Sequence, residues 1–501
     1  MHVEEPGPGP CILLRGLTAW NDGRTLDLLL PWPDPRCLVG RSDDLGVWLH
    51  LAASVAGGIL EADMAGAVLA PALTDPHVHF RDPGHTDKED MISGSSAAAA
   101  GGYGTVLIMP NTQPAMDGPA VVDRLQGYER TLGRPLPVHY RLCVAASKGR
   151  SGRYPNPPGS WRPYLPGGSR TRLDEAAASH PVVALSDDGA AVTDGIAHTV
   201  AGWAKEYGIP LLDHCEHHDS GVINQGPVAA RLGLPGVPAS TEARIVERDI
   251  DLARDTGAHI HLQHVSTAAA FAAIRRAKAQ GLPITCETAP HYLALSDDDL
   301  PRLGAMGKMN PPLRSRADRR SCLEAVADGT VDMIATDHAP HTKAEKARGL
   351  GQAPNGVIGL ETAYGVCRTS LVGGGWIDDS RLIELMSAAP ARLMGLEVTD
   401  LDALMDEADG WTAGTSRRPL IDLTAGDQAG TDLVVLAPDA TWRVDADRFV
   451  SKARNSPFDG MELTGRPLMT VVDGRPVHSA IAPRSFRPAR KMDRSDMEGR
   501  R

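Results

Sequence analysis

No apolar run in this 501-residue chain approaches the length of a membrane span, and the opening MHVEEPGPGP lacks both the basic start and the hydrophobic core of a secretory signal. The expectation is a cytosolic protein. Paired cysteines are also missing. The seven, Cys11, Cys37, Cys143, Cys215, Cys286, Cys322 and Cys367, are odd in number, widely scattered and form no CxxC pair. A disulfide framework and a structural zinc knuckle are thereby excluded, and the thiols read as reduced and mostly buried. Positive charge is in deficit: 51 basic against 63 acidic side chains leave a net charge of −12. That balance argues against nucleic acid or an anionic membrane as partner and leaves a small-molecule ligand.

What the chain does have is alternation. Eight strand-like runs recur, at 67–80, 104–110, 138–145, 181–187, 210–216, 259–266, 284–292 and 332–341. Between them lie Ala- and Leu-rich stretches of helical spacing, at 88–101, 119–132, 194–207, 241–256, 267–280 and 315–328. The pattern predicts an α/β fold, a (β/α)8 TIM-like barrel over 67–400. In such a barrel the chemistry sits at the C-terminal ends of the strands.

Six groups suited to a metal stand at those ends. His77 and His79 close the first run, Asp188 the fourth, His214 the fifth, His264 the sixth and Asp337 the eighth. Residues two apart on a strand share a face, so His77 and His79 can grip one ion. A lone histidine is more often a hydrogen-bonded core group, and a DDG triplet is more often a turn. Joint placement of six such residues at five strand ends is what lifts them above that reading. His261 competes with His264, but His264 stands at the strand end, before Ser266 and Thr267. Imidazole and carboxylate suit zinc or a similar ion, which makes hydroxide available near neutral pH. Asp337 then suits proton transfer to a leaving nitrogen.

The motifs KEDMISGSSAAAAGG (88–102), MPNTQP (109–114), KMNPPLR (308–314), DHAPHTKAEK (337–346) and GLETA (359–363), with DPHVHFRDPG (75–84), resemble the amidohydrolase superfamily, and within it the dihydroorotases of the long bacterial type. The resemblance covers about 67–397, and SAAPARLMGL (387–396) and SKARNSPFDG (451–460) resemble the closing segments. It implies one or two Zn2+ per subunit, with His77, His79 and Asp337 on the more buried ion, His214 and His264 on the second, and Asp188 touching both. It also implies that Arg81, Asn111 and His341 hold the carboxylate of a small anionic substrate and that Asn310 contacts its ring. An arginine fork suits a carboxylate. The implied reaction is the reversible cyclisation of N-carbamoyl-L-aspartate to L-dihydroorotate in pyrimidine biosynthesis. A homo-oligomer and aspartate carbamoyltransferase are the partners to expect.

Dihydropyrimidinases, hydantoinases and allantoinases place a carboxylated lysine at the end of the fourth strand. This chain has no lysine between Lys148 and Lys205, so an aspartate must bridge there. Two rivals remain: a paralogue acting on another cyclic amide or imide, and a silent partner of the carbamoyltransferase. Outside the barrel, 1–66 and 421–480 are expected to form one small composite β-sandwich domain from both chain ends. The stretch 401–420 reads as a linker and 481–501 as a disordered tail. The Pro-, Gly- and Arg-rich stretch 147–172 reads as a mobile, solvated loop on the catalytic face.

Overall fold

The structure, a computed structural model, describes residues 11–30, 38–40, 59–216, 221–401, 431–482, 485, 487 and 488. The chain divides into two compact units, one of Leu73–Glu397 with Thr441–Gly465, the other of Met1–Ala72, Val398–Ala440 and Arg466–Arg501.

The first unit is the barrel. Its strands are β1 (Leu73–Val78), β2 (Tyr103–Ile108), β3 (His139–Ala145), β4 (Val182–Ser186), β5 (Leu211–His214), β6 (Ile260–Gln263), β7 (Ile284–Thr288) and β8 (Met333–Ile334). They lie side by side in chain order, each pair parallel. A bridge between Val78 and His338 brings the last strand's end back to the first. The buried Asp75 adds to that closure, accepting hydrogen bonds from the Thr336 backbone N–H at 3.2 Å and its hydroxyl at 2.5 Å. Every residue of β1, β2 and β4 is buried, as expected of parallel strands covered on both faces.

The helices fall where the spacing places them, at Met91–Ala100, Asp194–Tyr207, Ser240–Thr256, Ala268–Ala279 and Arg316–Ala327. The 119–132 stretch breaks at Gly127 into Pro119–Gln126 and Tyr128–Leu132. In Ala268–Ala279 the buried positions Ala270, Phe271, Ala273, Ile274 and Ala277 keep the three-and-four spacing of a core-facing stripe. Thr267 caps its start by accepting from Ala270 N. No helix among the described residues is long and apolar enough to cross a membrane.

The stretch 147–172 differs from expectation. Most of its residues are at least partly exposed, but it forms three short 3-10 turns and buries Trp161 completely. The indole N–H donates to Asn156 O at 3.0 Å, and the ring meets Tyr207 edge-on. Ser147 N donates to Asp187 Oδ1 at 2.9 Å, and Lys148 Nζ donates to Asp117 O and Ser160 Oγ. An indole too large to leave in water supplies the anchor that composition hid.

The second unit draws on both chain ends, as expected. Cys11–Ala19 pairs antiparallel with Thr25–Leu30 and parallel with Ile59–Asp63 and Val68–Pro71, and this branch builds a nine-stranded sheet. Leu14, Leu17, Leu26, Leu28, Leu69, Leu433, Val435 and Val471 fill its core. Two boundaries need correction. The run 67–80 is cut between Pro71 and Leu73, its first part pairing antiparallel with Leu433–Leu436 and its second opening the barrel. Within 421–480, residues 441–465 belong to the barrel unit. Asn455 explains why: its Oδ1 accepts from His341 N at 3.1 Å, and its Nδ2 donates to Ala339 O and Gly356 O. In the tail, Arg487 and Pro488 pair with Glu61 and Leu60, so that part is sheet. The linker beyond Leu401 and the tail beyond Pro488 lie outside the described residues, as do Cys37 and His217–His218.

Candidate metal centre

The six expected ligands converge. His77, His79, Asp188, His214 and His264 are each under 5% exposed and Asp337 is 7% exposed, although 260 residues separate the first from the last. Asp188 lies in the middle. Its Oδ1 is 3.2 Å from His77 Nε2, 3.6 Å from His214 Nδ1 and 3.9 Å from His264 Nε2, and its Oδ2 is 3.5 Å from His79 Nε2. Asp337 Oδ1 lies 3.0 Å from His79 Nε2 and 3.6 Å from His77 Nε2. Two overlapping sets, His77–His79–Asp337 and His77–Asp188–His264, each bring their ligand atoms within 4.8 Å of one another.

These residues fit a divalent cation. His77 Nε2, which faces both Asp188 and Asp337, is buried without a hydrogen-bond partner, a costly arrangement for a polar atom unless something else engages it. His214 Nδ1 faces His264 Nε2 at 2.8 Å. The donor set of four imidazoles and two carboxylates suits zinc and its neighbours.

The electrostatics agree. Burial pushes the Asp188 carboxyl up, but the charges of His77 and His79 and hydrogen bonds from His214 and His264 outweigh it, leaving Asp188 well below the ordinary carboxylate range. Burial is likewise overcome at Asp337, chiefly by His79 and His77, so it too stays ionised near neutral pH. Burial holds His79 and His264 below the usual imidazole value, the neutral state that a metal ligand requires, whereas at His77 burial is outweighed by the charges of Asp188 and Glu287, which raise it well above that value.

Backbone strain collects here. Arg81, His264 and Asp337 have φ of 58°, 37° and 47°, left-handed values that side-chain-bearing residues rarely adopt. Each follows a strand, where the kink turns the side chain toward the barrel mouth. At Gly189, which closes the DDG turn at φ 86°, an added Cβ would come within 2.9 Å of Arg150 Nη2. Arg150 donates from that nitrogen to the carbonyls of Asp187 and Asp188.

The expected substrate contacts are more varied. Arg81 is brought to the site: burial draws its pKa down against the charges of Asp337, Asp188 and Glu345, and its Nε is buried without a partner. Asn111 Oδ1 accepts from His79 Nδ1 at 2.8 Å, leaving its amide nitrogen for a ligand. Asn310 Nδ2 lies 2.8 Å from His214 Nε2, so this side chain braces one of the expected ligands. His341 donates from Nε2 to Asn355 O at 2.7 Å. Burial, with Arg81 and Lys346 nearby, lowers it to about 3, so it is neutral.

Sequence reasoning missed Glu287. This fully buried carboxylate on β7 accepts from His77 Nδ1 at 2.8 Å and from His261 Nε2 at 3.1 Å. The signal was a lone acid inside an apolar barrel strand, ITCET, a place where charge is seldom left without a task.

The amidohydrolase family model matches residues 68–401. The chain is 42% identical to a dihydroorotase of Deinococcus radiodurans over 82% of this chain and 89% of that one. It is 38% identical to a dihydroorotase of Lactiplantibacillus plantarum over 92% and 97% of the two chains. Among solved structures it resembles an L-hydantoinase (dihydropyrimidinase) from Arthrobacter aurescens, with a TM-score of 0.70 and 24% identity over 93% of this chain and 96% of that one. A D-hydantoinase (dihydropyrimidinase) from Thermus sp. gives 0.64 and 23%, covering 93% and 94%. The hydantoinases share the barrel-plus-sandwich fold, whereas the likeness to the dihydroorotases extends to sequence along most of their length. This chain belongs to the amidohydrolase family and, within it, to the dihydroorotases.

Proposed function

We propose that this protein interconverts N-carbamoyl-L-aspartate and L-dihydroorotate, a step of pyrimidine synthesis. The observation that carries the reading is the unpartnered buried Nε of Arg81, on a half-buried side chain that feels the charges of Asp188 and Asp337. A guanidinium with a covered, unused donor calls for an anion. Dihydroorotate and carbamoyl aspartate bring a carboxylate, and a neutral hydantoin does not. Aspartate at position 188, in place of lysine, supports the same choice.

His77, His79, Asp188, His214, His264 and Asp337 would hold the metal. When bound, it supplies Lewis acidity toward the ring carbonyl and lowers the pKa of a coordinated water. The chain's residues do the rest. Arg81 and the amide of Asn111 orient the substrate carboxylate, with neutral His341 lining the same side. Asn310 faces the ring while bracing His214. Asp337, ionised at neutral pH, accepts the proton released during attack on the amide carbon and returns it to the ring nitrogen. Ring closure reverses these transfers.

Zinc as the resident ion, one or two per subunit, belongs to this proposal. So do the cytosol as compartment, a homo-oligomer, and aspartate carbamoyltransferase as a partner. A substrate panel tests the activity: zinc-loaded protein is assayed on L-dihydroorotate and N-carbamoyl-L-aspartate, with hydantoin, dihydrouracil and allantoin alongside. Turnover confined to the first pair is expected. Turnover of a neutral ring with none of that pair would overturn the reading.

A further inference from the structure

We infer that Glu287 is a positioning residue for the metal centre, fixing the tautomer of His77 and the backbone kink of His264. This rests on the reading of the cluster as a metal site and assigns a role to a residue outside the ligand set.

His77 is the one residue common to both candidate ligand sets. An imidazole can offer a lone pair to a metal from Nε2 only if its proton resides on Nδ1, and the free tautomers differ little in energy. In this structure His77 Nδ1 lies 2.8 Å from Glu287 Oε1, with both side chains fully buried. A carboxylate oxygen accepts, so the 2.8 Å contact places a proton on His77 Nδ1, beside which the side-chain amide of Gln263 also stands at 3.1 Å. Nε2, the atom that finds no hydrogen-bond partner, is then the one left to face Asp188 and Asp337 and an ion held between them. Carboxylate partners of this kind orient metal-binding histidines and raise their basicity.

The same oxygen, Glu287 Oε1, also accepts the backbone N–H of His264 at 3.3 Å. His264 sits at φ 37°, and a fixed acceptor for its N–H helps hold that strained conformation. The second oxygen takes His261 Nε2 at 3.1 Å, while Thr285 Oγ1 lies 2.9 Å from the other nitrogen of that ring. His261 is therefore a strut that keeps the Glu287 carboxylate in plane, and it faces Glu287 where its neighbour His264 faces the metal site. Glu287 thus couples ligands on β1 and β6 from its place on β7.

Three variants separate this role from plain packing, with metal affinity of the folded protein as the readout. Affinity is measured by competition with a chromophoric chelator, without substrate, alongside the melting temperature of the metal-free form. Glu287→Gln keeps an oxygen at the same reach and should bind zinc within about threefold of the parent. Glu287→Asp keeps the charge but withdraws the oxygen by one methylene, and should lose roughly 10- to 100-fold in affinity. His261→Phe removes the strut without touching His77 and should bind more tightly than Glu287→Asp. If Glu287→Asp binds as tightly as the parent, or Glu287→Gln loses more than Glu287→Asp, the tautomer role is overturned. If the parent itself binds no metal, the reading of the centre has failed instead.

Discussion

His214 Nδ1 and His264 Nε2 stand 2.8 Å apart, two ring nitrogens from adjacent strands aimed at each other beside Asp188. Without a metal this contact requires a proton between them, since two lone pairs repel at that distance. Metal loading must move that proton, and it must also displace the second proton of His77, whose pKa, against the pull of burial, Asp188 and Glu287 raise well above the ordinary imidazole value. Calorimetric titration of the stripped protein with zinc in buffers of different ionisation enthalpy should show net proton release near pH 7. Heats independent of the buffer would contradict this account of the cluster.

Asp337 is ionised and already oriented by His79. Asp337→Asn preserves size and one acceptor but removes the base. Turnover should fall by about 10²- to 10⁴-fold, the usual contribution of a positioned general base, or further if metal is lost. Far-UV circular dichroism should be unchanged. Near-normal turnover would remove Asp337 from the mechanism.

Arg81→Ala should act mainly on binding. Losing charge-assisted hydrogen bonds worth about 1.5–3 kcal/mol corresponds to roughly 10- to 100-fold in kcat/KM, carried mostly by KM. Arg81→Lys should recover only part of this, because an ammonium cannot reproduce the planar fork. A loss confined to kcat would place Arg81 elsewhere in the reaction.

Acid stability should depend on histidines buried in neutral form. Burial lowers His259 and His291 to about 4 and His341 to about 3. Below about pH 6.5, the ordinary value, the unfolded chain takes up protons that the folded chain refuses. Stability is thus fully present above that pH and declines as pH falls toward the folded values. His259, which pairs with Thr285 Oγ1 rather than with the ligand cluster, gives the cleanest test. Denaturant unfolding of His259→Gln between pH 6.5 and 4 should show a shallower loss of stability than the parent, and an identical slope would refute the assignment.

Much of this was legible beforehand because barrel strands and metal ligands both leave local marks. Apolar runs such as 182–186 announce themselves as buried parallel strands, and His77, His79 and Asp188 sit where such runs end. Trp161 was misread because a Pro- and Gly-rich neighbourhood looks solvated until the partner of its indole, Tyr207, is known. The segment 441–465 went to the wrong unit for a similar reason: the carbonyls that Asn455 satisfies, at Ala339 and Gly356, are over a hundred and about a hundred residues away. Glu287 escaped notice because its importance lies in Nδ1 of His77, a contact across 210 positions. Periodicity reports which face a residue takes, but not which distant atom meets it there.

The most direct test of the whole account is chelator-stripped protein assayed for ring opening of L-dihydroorotate, then titrated with zinc while bound metal and rate are followed together. The account predicts no turnover in the stripped protein and activity that rises with occupancy of the cluster. Undiminished turnover without metal would contradict it.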